Sequence, residues 1–71
     1  MDIPFVKAVR LRKGSDEVFI VLWRDLRLTV CWINRKGEGK CYTTSKATKN
    51  NKQLFYIAEA WYTNLGFKRI E

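Results

Sequence analysis

Histidine is absent from this 71-residue chain, and acids are scarce: seven Asp and Glu stand against fourteen Lys and Arg. Without histidine, no side chain ordinarily titrates near neutrality, so the formal net charge of +7 persists around pH 7. The same absence removes the commonest general base, and no clustered carboxylate pair replaces it. A nucleophilic Cys31 or Cys41 would have no imidazole partner. A phosphate-cradling loop is missing too, since Gly37-Glu38-Gly39-Lys40 has the wrong spacing and lies in a hairpin. The expectation is a protein that is not an enzyme and uses no cofactor.

Cysteine is nearly as sparse. Two thiols without histidine or a CxxC pair cannot complete a tetrahedral zinc shell, so no metal is expected. A centred hairpin loop would set Cys31 opposite Cys41, which makes a cross-strand bond geometrically conceivable. In a cytosolic protein the expectation is nevertheless two reduced, semi-buried thiols. Long apolar runs are lacking: Val18–Trp23 is the longest, far short of the roughly 20 residues a membrane span needs. Met1-Asp2-Ile3-Pro4 has neither the charged start nor the apolar stretch of a signal peptide. Cytoplasmic residence is expected, with no membrane partner.

What the chain does have is apolar and aromatic content, 46% and 14% of its residues. That suffices for a compact core and argues against global disorder. Residues 1–71 read as one small basic domain, near the lower size limit for an unassisted core. A homodimer partner would relieve that limit.

The pattern along the chain is mainly that of strands. Phe5–Lys13 alternates late in its run, with Val9 and Leu11 against Arg10 and Arg12. Gly14-Ser15-Asp16 is a turn. Glu17–Trp23 is β-branched and aromatic on both faces, as a central strand is. A two-residue reversal at Arg24-Asp25 would lead into Leu26–Asn34 and pair Val21 with Leu28 and Phe19 with Val30 on one apolar face. The opposite face would then pair Leu22 with Arg27 and Ile20 with Thr29, and Trp23 and Trp32 would share the apolar side. Asn34–Gly39 is the next loop, and Lys40–Thr44 returns as a shorter, polar strand.

The period then changes to three and four residues. Leu54, Ile57, Ala58, Trp61 and Leu65 form the stripe of an amphipathic helix, with Trp61 expected in the core. Ser45, Thr48 or Asn50 could cap its start, and Gly66 sits where a left-handed C-cap belongs. Phe67–Glu71 reads as a last edge strand or a tail. The expected fold is α+β, with a three- to four-stranded antiparallel sheet, a C-terminal amphipathic helix on one face, and the other face open.

The basic residues are the strongest functional signal. Arg10, Arg12, Arg27, Lys40 and the loop pair Arg35-Lys36 could share the open face and its rim, which is expected to lack the compensating acids of a neutral surface. Lys46, Lys49 and Lys52 precede the helix core, where cations oppose the helix dipole unless an anion neutralises them. Trp23 or Trp32, if turned outward, would offer a stacking platform for an unpaired base.

Leu28–Asn34, Gly37-Glu38-Gly39-Lys40, Tyr42-Thr43-Thr44 and then a helix containing Ala58-Glu59-Ala60 follow a strand–turn–strand–helix order over about half the chain. That order resembles the DNA-binding domains of plant ethylene-response factors and the arm-site-binding domains of phage integrases. The resemblance is architectural and implies a sheet entering the major groove, with Arg10, Arg12 and Arg27 reading bases. The leading expectation is a nucleic-acid-binding module, DNA favoured over RNA. The alternative is a small protein-interaction module, such as a phage-type inhibitor or regulatory subunit, docking its basic face on an acidic protein surface.

Overall fold

Alternating apolar residues build the inner strands of a sheet that has five strands among the described residues, and one helix covers part of it. The computed structural model describes residues 4–70. Met1, Asp2 and Ile3 of the opening segment and Glu71 of the closing one lie outside them. The elements are β1 (Phe5–Lys13), β2 (Asp16–Trp23), β3 (Leu28–Ile33), β4 (Gly39–Thr43), α1 (Asn50–Asn64) and β5 (Lys68–Ile70). All pairings are antiparallel, in the spatial order β4-β3-β2-β1-β5. The α+β class is as expected, with five strands rather than three or four; the closing segment takes the edge-strand reading as β5 rather than the tail.

The main departure lies in register. β2 pairs with β3 through Leu22–Leu28, Val21–Thr29, Ile20–Val30 and Phe19–Cys31. Every pair is one residue away from the expected set. The reversal is longer than two residues: the Trp23 amide donates to the Arg27 carbonyl at 2.9 Å, leaving Arg24-Asp25-Leu26 as the loop. The Leu26 amide closes the turn onto the Trp23 carbonyl, and Leu26 takes the left-handed conformation at φ 68°. The Asp25 carboxylate accepts from the Arg27 amide at 3.0 Å. A side chain is uncommon at this φ, which glycine takes easily; in the third hairpin Gly37 supplies it at φ 80°. Because side chains alternate, this one-residue slip exchanges the two faces of β2.

The core therefore holds Val9 and Leu11 of β1, Val18, Ile20 and Leu22 of β2, and Leu28 of β3, closed by Phe55 and Phe67. Phe19, Val21 and Trp23 lie on the other face with Arg10 and Arg12.

The helix is also rotated from the expected stripe. Phe55 is 0% exposed and Trp61 64%. Leu54, Ile57 and Leu65 are exposed as well, so of the expected stripe Ala58 alone packs on the core. Asn51 supplies the reason. Its side-chain amide donates to the carbonyls of Leu26 (2.6 Å) and Lys46 (2.9 Å) and to the Thr44 hydroxyl (3.2 Å). That anchor turns the first helical turn inward at Asn51, and Phe55, Ala58 and Tyr62 follow it at helical spacing.

No side-chain hydrogen bond caps the helix start, where Lys49 occupies the N-cap and Asn50 is already helical. The C-terminus ends as expected at Gly66, φ 101°. Gly66 donates to the Thr63 carbonyl and Phe67 to the Tyr62 carbonyl, a Schellman arrangement. The Tyr62 and Phe67 rings meet edge-to-face across it, centroids 5.4 Å apart. This turn sends the chain back along β1 as β5.

Cys31 and Cys41 face each other across β3–β4 and form a disulfide, where two reduced thiols were expected. The third hairpin supplies the geometry that makes the bond possible. The Asn34 amide donates to the Glu38 carbonyl, which centres the loop and leaves the cysteines directly opposed. Among the described residues, no helix is long and apolar enough to cross a membrane.

Candidate nucleic-acid interface

The face of the sheet away from α1 is organised in rows set by register. One row runs Lys68, Arg12, Glu17, Ile33. The next runs Ile70, Arg10, Phe19, Cys31, Cys41. Ala8, Val21, Thr29 and Thr43 form a third, and Phe5 pairs with Trp23 beyond them. Val6 is the extra residue of a bulge that restores Phe5 to this face while Lys7 turns to the helix side. There Lys7 Nζ donates to the Tyr56 hydroxyl at 2.8 Å.

Two expected site residues, Arg10 and Arg12, lie on this face, and both converge on Glu17. Arg10 reaches Glu17 Oε1 at 2.6 Å and Arg12 at 2.7 Å. The hydrogen bond from Arg12, then that from Arg10, holds the Glu17 carboxyl below its ordinary range. One carboxylate cannot neutralise two guanidiniums, so the trio keeps a net positive charge. The Arg10 guanidinium also lies 5.4 Å from the Phe19 ring centroid.

Beside this trio is a shallow depression of about 320 Å³, lined by Ala8, Val9, Arg10, Phe19, Val21, Arg69 and Ile70. Its floor is apolar and aromatic, and its two cations are arginines. Such a surface can stack a flat ring on Phe19 while the guanidiniums take an anion. Trp23 stands further along the face, its indole N–H donating to Thr29 Oγ1 at 2.7 Å, which fixes the ring orientation.

The remaining expected residues do not join this face. Lys40 pairs with Trp32 on the helix side of the sheet, a correction that follows from the register of β4. Arg35 and Lys36 occupy the β3–β4 loop, at the same end of the sheet as the Gly14-Ser15 turn. Arg27 lies at the opposite end, 3.6 Å from Asp25, together with Lys46 and Lys49 in the approach to α1. The eight residues of β2 separate the two ends, roughly 25 Å. The basic set thus divides between one face and two ends.

Lys68, Arg69 and Phe19 were missed, while Trp23, named as a stacking platform if turned outward, does lie on this face. Lys68-Arg69 is a basic pair in the sequence, but only pairing with β1 gives it a place. Phe19 and Trp23 were assigned to the wrong face by the two-residue turn. Compared with known proteins, the chain matches no family model, no curated protein and no solved structure.

Proposed function

We propose that this chain is a non-enzymatic nucleic-acid-binding module whose helix-free sheet face takes single-stranded segments. The observation that carries the reading is the combination on that face of two aromatic rings, Phe19 and Trp23, with Arg10, Arg12 and Lys68. Stacking on an aromatic ring is available to any base, and the arginines supply phosphate contacts. The net charge of +7 adds long-range attraction for a polyanion. Arg35 and Lys36, on a loop at one end of the face, extend the positive path beyond it. Single strands suit this surface better than duplex does, because a ring aimed outward meets a base only where bases are unpaired.

The test is a salt titration of fluorescence anisotropy with an oligothymidine strand, the same length of RNA, and a DNA duplex. Neutralising four to six phosphates gives a log–log slope of about −3 to −4 for a single strand. Phe19→Ala should weaken binding by about 1–3 kcal/mol while the protein stays folded. Arg35→Ala with Lys36→Ala should weaken all sequences alike. No binding to any of the three at low salt would end the proposal.

A further inference from the structure

The other side of the sheet carries a second surface, independent of the first. The helix lies mostly over β2, with less contact to β1 and β3, and leaves the β4 side of the sheet bare. The result is a groove of about 680 Å³ between α1 and the β3–β4 hairpin. Leu54, Ile57 and Trp61 form one wall; Val30, Trp32 and Tyr42 form the floor and the opposite wall. Ile57 is 61% exposed and Tyr42 70%. Four strand spacings make the sheet roughly 19 Å wide, and one helix with its side chains is about 10–12 Å across. Centred over β2, the third of five strands, the helix leaves β4 and the outer part of β3 uncovered, and the groove runs along that strip.

Such a cluster of tryptophan, tyrosine and aliphatic side chains has the composition of a binding hot spot. Its charge selects the occupant. Among the described residues lining the groove, Lys40 alone carries charge. At the Trp32 and Tyr62 end the groove opens into a neighbouring depression, where Lys13, Arg35 and Lys36 outnumber Asp16 and Glu38. A second copy of this chain would bring another +7 to a positive surface. A nucleic-acid strand would find one lysine inside the groove, too few to follow a phosphate backbone. We infer that this groove docks an amphipathic helix of a partner protein, with its apolar stripe seated on Trp61, Tyr42 and Trp32 and acidic residues flanking that stripe.

The test uses synthetic peptides the length of α1, 15 residues. One carries leucines at i, i+3, i+4, i+7 and i+11 with glutamate and alanine elsewhere. A second replaces glutamate by lysine, and a third scrambles the stripe. Calorimetry should show the acidic peptide binding at least about tenfold more tightly than its lysine twin. Amide and indole resonances of Ile57, Trp61 and Tyr42 should shift on titration, while those of Phe19 and Arg10 stay. Trp61→Ala should weaken binding about 30-fold, the factor equivalent to loss of a hot-spot side chain. Its exposure makes unfolding an unexpected outcome; Tyr42→Ala, checked by circular dichroism, tests the opposite wall. Lys40→Glu should remove the preference for the acidic peptide. Equal binding of the acidic and scrambled peptides, or none, overturns the inference. So does a dimer by sedimentation that buries the same resonances, or displacement of those shifts onto an oligothymidine strand.

Discussion

Glu17 is the residue on which the proposed sheet-face function turns. It holds Arg10 and Arg12 in place, and in doing so it competes with any phosphate for them. Glu17→Gln raises the formal charge by one and releases both guanidiniums, so nucleic-acid affinity should rise and the salt slope should steepen by about 1. The same logic gives a pH dependence. The folded-state pKa of Glu17 is depressed by Arg12 and Arg10, so its stabilising share is present above the ordinary carboxylate value of 4.5. That share is lost as pH falls through the folded value, over the same acid range in which protonation frees the arginines. Thermal melts from pH 6 to 2.5 should show a smaller acid decline in Glu17→Gln than in the parent chain. Unchanged affinity in that variant would mean that Arg10 and Arg12 touch no phosphate. At this scale the sequence was partly legible. Arg10 and Arg12 alternate with the buried Val9 and Leu11, which places them outward without knowledge of the turn. Lys40 has no such apolar neighbours to orient it, and its side of the sheet was misread.

At the scale of elements, the boundaries of the strands and the C-cap of the helix were readable, while the faces were not. β2 is apolar on both sides, with Val18, Ile20 and Leu22 alternating against Phe19, Val21 and Trp23, so its pattern carries no information about which side is buried. The loop decides that, and a leucine in a left-handed conformation gives no glycine signal to mark it. The helix is ambiguous for the same reason. It has one apolar stripe through Leu54, Ile57 and Trp61 and another through Phe55, Ala58 and Tyr62, one residue or about 100° apart around the axis. The long-range anchor of Asn51 on Leu26, Thr44 and Lys46 selects the second, and such an anchor has no local pattern. The two stripes make opposite predictions for mutation. Phe55→Ala removes a fully buried ring and should cost about 3–5 kcal/mol. Trp61→Ala should change stability by less than about 1 kcal/mol, since exposed positions away from special features are usually within about half of that. Urea denaturation of both variants decides between them; a larger loss in Trp61→Ala would return the helix to the stripe expected from periodicity.

For the whole molecule, size sets the terms. A chain of 71 residues commonly has a stability of roughly 4–11 kcal/mol, from about 0.05–0.15 kcal/mol per residue. Two features here work against that small reserve: a net charge of +7, whose self-repulsion favours expansion, and an apolar groove left open on the helix side. The Cys31–Cys41 link works in the opposite direction. It closes a loop of ten residues' separation and ties the edge strand β4, which α1 does not cover, to β3. By loop-closure entropy such a link is worth about 2–3 kcal/mol, a large fraction of the whole. Reduction, or Cys31→Ser with Cys41→Ser, should lower the melting temperature by roughly 10–20 °C. The loss should appear first at β4, as faster amide exchange at Lys40 and Tyr42, whose amides face β3 in the ladder. Because Tyr42 forms a wall of the groove, peptide binding there should weaken on reduction before the sheet-face site is affected. A melting temperature unchanged by dithiothreitol, with the thiols shown to be free by titration, would mean that β4 is held by its hydrogen bonds and side chains alone.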